Sequence, residues 1–169
     1  MPAKCSKFST EDFKIVLNNN YLRLLNDIYS TRLSNGAFRN ILNRLEKIKD
    51  FGVYEIVLAQ FHKCNPKKNG NANAFSFGTK VLHTYNPEEN PILDSVVREN
   101  LGIGKMNLDF CLDFKKAMNC FVNKHEEYFS CVNQCRVKDV FREFHLKPDF
   151  PKMKLLDMAI MYRPLPQRS

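Results

Sequence analysis

The chain has 169 residues, 44% of them hydrophobic, and a net charge of +8 from 26 Lys and Arg against 18 Asp and Glu. That length fits one domain, or one with a small lobe, and the composition excludes a disordered chain. No run approaches 18 apolar residues, which excludes a transmembrane helix, and dispersed positive charge suits a surface that meets phosphates.

The opening residues, 1–7, lack the apolar stretch of a signal peptide, so an intracellular chain with reduced cysteines is expected. Ser9 and Thr10 precede Glu11, Asp12 and the apolar Phe13, Ile15, Val16 and Leu17, the pattern of a capped helix start. A second helix is predicted over 21–33, with Leu22, Leu25, Ile28 and Tyr29 on one side. Ser34, Asn35 and Gly36 carry turn chemistry. Phe38, Ile41, Leu42, Leu45 and Ile48 then form a 3.6-residue stripe. Gly52 interrupts, an apolar helical run resumes over 54–61, and the polar stretch 64–73 reads as a loop.

Beyond that loop lie two short segments. Gly78 stands two residues before Lys80, where it allows a tight turn or close helix packing, and Val81, Leu82 and Tyr85 continue as helix. Pro87 ends this helix and Pro91 starts the return. Asp94 or Ser95 caps the next helix, which carries Val96, Val97 and Leu101 and stops at Gly102. A cap at Asp94 puts a carboxylate at a positive helix end.

A long helix is predicted over 107–133, with Phe110, Phe114, Met118, Phe121 and Val122 apolar, and shorter ones over 137–146 and 152–162. Strand-like alternation is scarce. The reading is a single all-α domain of about eight helices, with lobes 1–63 and 106–169 around a central pair at 73–104.

Cys131 and Cys135 fall one helical turn apart and read as two thiols on a helix. No second pair stands at zinc-ribbon spacing and no four-cysteine run of the iron–sulfur type is present, so neither a metal nor another cofactor is expected. His83, three residues beyond Lys80, reads as a core histidine.

The central segment resembles the helix–hairpin–helix DNA glycosylase superfamily, which includes endonuclease III and the 8-oxoguanine glycosylases. Ser76-Phe77-Gly78-Thr79-Lys80 is similar to the end of the family's hairpin. Ile92-Leu93-Asp94-Ser95-Val96-Val97-Arg98, followed by Leu101-Gly102, is similar to its aspartate segment. The resemblance covers about 30 residues. It implies a DNA-binding protein that excises a modified base. Lys80 would be the Schiff-base nucleophile, and Asp94 the carboxylate that assists base departure. Lys67, Lys68, Gly78 and Arg98 would meet DNA. The alternative is a non-catalytic helical module that binds nucleic acid or a protein.

Overall fold

The structure, a computed structural model, describes residues 8–67, 70–129 and 152–161. Its helices include α1 (Thr10–Val16), α2 (Asn19–Ile28), α3 (Asn35–Leu45), α4 (Tyr54–Ala59), α5 (Phe75–Tyr85), α6 (Ser95–Asn100), α7 (Leu108–Lys124) and α8 (Lys152–Met161). The architecture is helical, and no described helix is long and apolar enough to cross a membrane. Cys131, Cys135 and the helix expected over 137–146 lie outside the described residues.

Side-chain caps set most helix starts. Ser9, Asn18, Ser34, Asp94 and Asn107 each accept a backbone N–H from three residues on. Each satisfies an amide that the helix itself leaves unpaired.

Three sequence expectations are corrected. The helix predicted to reach residue 33 stops at Ile28. The Asn26 side chain captures the exit, its Oδ1 accepting from the Thr31 hydroxyl at 2.7 Å and the Leu33 amide at 2.9 Å. Ser30 and Arg32 take positive φ there, which ends the helical path. Secondly, the stretch 64–73 is not all loop. β1 (Asn65–Lys67) pairs antiparallel with β2 (Gly70–Ala72), Asn65 opposite Ala72. The base of this hairpin is clamped by the Lys63 amide on Asn73 Oδ1 at 2.8 Å and the Ala74 amide on the Phe61 carbonyl at 2.8 Å. These local bonds, not strand propensity, hold it. Thirdly, the helix expected over 107–133 is interrupted, because α7 ends at Lys124 with His125 as its cap. α5 begins at Phe75, so of the two roles open to Gly78, a turn or close helix packing, it takes the second.

α5 is the axis of the molecule. Nine of its residues, Gly78 and Lys80 among them, are buried, and it packs on α4 and α2. At Gly78 a Cβ would come within 2.7 Å of Phe61 and 2.8 Å of Leu58, so glycine is what lets α5 and α4 approach so closely. At the C-terminal end of α5, Tyr85 meets Phe13 at 5.2 Å between ring centroids, and Phe13 meets Phe51 at 5.1 Å. α7 adds Cys111, Phe114, Met118 and Val122 to the same buried cluster, and α8 adds Met153 and Leu156 while packing on α6 and α7.

Candidate functional site

The chain leaves α5 at Asn86 and returns alongside it. Three hydrogen bonds fasten the return. The Asn90 amide group donates to the Leu82 carbonyl at 2.8 Å, and His83 Nδ1 meets the Asn90 carbonyl at 2.7 Å. The Leu93 N–H donates to Thr79 Oγ1 at 3.1 Å. Because residue 93 is pinned to residue 79, residue 94 is delivered beside residue 80.

Lys80 Nζ thus lies 3.8 Å from Asp94 Oδ2. Asp94 Oδ1 is engaged with the Val97 amide at 3.0 Å, so one oxygen caps α6 while the other faces the amine. Lys80 is only 2% exposed. Its amine also reaches Ser76 Oγ at 3.5 Å and sits 5.0 Å from the centre of the Tyr29 ring, within cation–π range. Burial pushes the Lys80 pKa below the usual lysine range, against the opposing pull of Asp94 and Asp157. A larger fraction of free amine follows.

Asp157, on α8, was missed by sequence reasoning. It is 1% exposed, its Oδ2 accepts from Lys154 Nζ at 3.1 Å, and its Oδ1 has no partner among the described residues. Burial raises its pKa, and the charges of Lys154, Asp94 and Lys80 act on it too. The same two carboxylates, after burial, raise the pKa of Tyr29. Side chains from α5, α8 and the caps of α2 and α6 therefore share one electrostatic cluster. The available signal was a lone acid inside the apolar run of α8, three residues after Lys154.

Lys80 and Asp94 open into a cavity of about 500 Å³, whose lining also includes Tyr29, Lys67, Ser76 and Arg98. That volume falls in the range of small-molecule sites. Lys67 is exposed on β1, and Arg98 is half-buried on α6 with its Nε enclosed and without a partner among the described residues. Lys68 lies outside the described residues. Gly78 is a correction: its amide donates to the Ala74 carbonyl at 2.9 Å and its Cα faces α4, so it offers no bare N–H to a phosphate. His83 is a core residue, its hydrogen bond to the Asn90 carbonyl made and its pKa pushed down to about 4 by burial.

Comparison with protein families, curated proteins and solved structures finds no match.

Proposed function

We propose that this protein binds DNA and excises a modified base, as a glycosylase with a lyase step, within a helical arrangement like that of the helix–hairpin–helix glycosylases. One observation carries the reading: a buried lysine amine stands 3.8 Å from a carboxylate at the floor of a cavity of about 500 Å³. A cavity of this size accommodates a nucleotide turned out of the stack. The overall charge of +8 supplies the attraction to phosphate. With Gly78 inside a helix, contact with the backbone falls to Lys67 and Arg98 instead.

In this reading the neutral amine of Lys80 bonds to C1′ of the flipped nucleotide. The C1′–N glycosidic bond breaks, and its electron pair leaves with the base, which takes up a proton. Asp94 stabilises the positive charge on the sugar and accepts the proton shed by the attacking nitrogen. Asp94 then returns that proton to O4′ as the C1′–O4′ bond opens, which gives the iminium and a free O4′ hydroxyl. Burial favours this chemistry twice, by freeing the amine and by strengthening the field of Asp94.

Borohydride trapping on a panel of lesion-containing duplexes tests the reading. A covalent complex is expected with at least one lesion and is expected to vanish in Lys80→Gln. Trapping that survives Lys80→Gln overturns the assignment.

A second reading has its own support. Lys80 and Asp157, at 2% and 1% exposure, are also what a structural charge network would show, one that fixes α8 in a non-catalytic helical module binding nucleic acid or protein. Salt-sensitive DNA binding without trapping on any lesion selects it.

A further inference from the structure

One wall of the Lys80 cavity is shared. Asn73, Ser76 and Arg98 also line a second cavity, of about 520 Å³, completed by Phe75, Gly104, Lys105 and Met106. Three polar side chains therefore form a ridge between two spaces of nearly equal volume. The Arg98 Nε is enclosed and has no hydrogen-bond partner among the described residues, so a ligand in either cavity meets the Nη groups instead. The paired Nη–H donors of a guanidinium fit two oxygens of a phosphate. Beside it, Asn73 has its Oδ1 occupied by the Lys63 amide, which leaves its NH₂ to donate. The Ser76 hydroxyl sits 3.5 Å from the Lys80 amine. The lining of the second cavity includes no carboxylate, whereas Asp94 lines the first.

We propose that the second cavity holds the nucleotide next to the one at Lys80, with the phosphodiester that joins them lying across Arg98. The inference rests on the reading of the Lys80 cavity as a nucleotide site. It extends that reading to a substrate of at least two adjacent, unstacked nucleotides on one strand. The phosphate accepts from the part of the Arg98 guanidinium that lines both cavities. Met106 and the edge of Phe75 give the neighbouring base an apolar surface, and exposed Lys105 adds a positive charge at the rim.

Binding of undamaged single-stranded probes to the native protein decides it: a nucleoside monophosphate, a dinucleotide and a trinucleotide, each titrated at two salt concentrations. The dinucleotide is expected to bind roughly tenfold or more tightly than the monophosphate. Its salt slope is expected to steepen by about 0.7 for the added phosphate. Arg98→Gln is expected to remove this gain. Gly104→Phe is designed to fill the second cavity from a position where a Cβ meets nothing within 4 Å, and its thermal melt is expected to match the parent's. It is expected to bring the dinucleotide down to the monophosphate's affinity and to leave the monophosphate unaffected. Equal affinity for mono- and dinucleotide in the native protein overturns the second subsite alone. A gain that survives both substitutions also overturns it. Failure of all three probes to bind overturns the nucleotide reading of the Lys80 cavity and the subsite with it.

Discussion

The Thr79 hydroxyl accepts the Leu93 amide at 3.1 Å and donates its own proton to the Ser76 carbonyl at 2.9 Å. This one side chain fixes the returning strand of chain against α5, and the residues that follow each partner are Lys80 and Asp94. The separation of amine and carboxylate is therefore set one position away from the charges themselves.

Thr79→Val keeps the shape but removes the acceptor, leaving a buried amide unpaired at a cost of about 1–3 kcal/mol. Denaturant unfolding is expected to show that loss, and Thr79→Ser to recover most of it. If the chemistry proposed for Lys80 operates, trapping by Thr79→Val should fall more than its folded fraction accounts for.

Asp94 serves as a cap and as the partner of Lys80. As a cap alone, Asp94→Asn would change stability by a few tenths of a kcal/mol and Asp94→Ala by about 1 kcal/mol, so a departure from those values measures the pairing with Lys80. Base excision should be lost in both, while DNA binding persists. Excision equal to the parent in Asp94→Asn would reduce Asp94 to helix punctuation.

Two buried groups give pH effects of opposite sign. His83 has its pKa lowered from 6.5 to about 4, so below pH 6.5 the unfolded chain takes up a proton that the folded state refuses. Stability is expected to fall between pH 6.5 and about 4, by on the order of 3 kcal/mol, and His83→Gln to remove that slope. Asp157 has its pKa raised above 3.8, so the folded state holds its proton longer than the unfolded one. Its contribution is fully present below pH 3.8 and is lost as pH rises through the folded pKa. Asp157→Asn, neutral throughout, should therefore gain stability relative to the parent as pH is raised. Chemical denaturation of the three proteins across pH measures both slopes.

Gly78→Ala places a methyl within 2.7 Å of Phe61 and 2.8 Å of Leu58. α4 and α5 must separate or their side chains must leave preferred rotamers, at a cost of about 1–3 kcal/mol. A thermal melt indistinguishable from the parent would show that the two helices do not approach this closely.

Duplex DNA binding should weaken steeply with salt. Lys67→Gln is expected to lower the slope of log affinity against log salt by about 0.9, the share of one phosphate contact. An unchanged slope would remove Lys67 from the interface.

By itself the sequence determined what depends on neighbours along the chain. The 3.6-residue stripe of α3, the caps at Ser9 and Asp94 and the proline break after Tyr85 all follow from backbone groups and side chains a few residues apart, and all are legible in order. Lys80 and Asp94 could also be picked out, as residue types at two helix starts, although Lys80 proves to lie mid-helix. Packing alone decided the rest. That Gly78 serves a helix contact instead of a turn depends on Leu58, on α4, and Phe61, just beyond its end. The burial that lowers the Lys80 pKa depends on elements distant in sequence. Asp157 enters the cluster only because α8 docks on α6 and α7. Desolvation and charge coupling act through space, over a few ångströms, and no local pattern records which distant segments the core will bring within that reach.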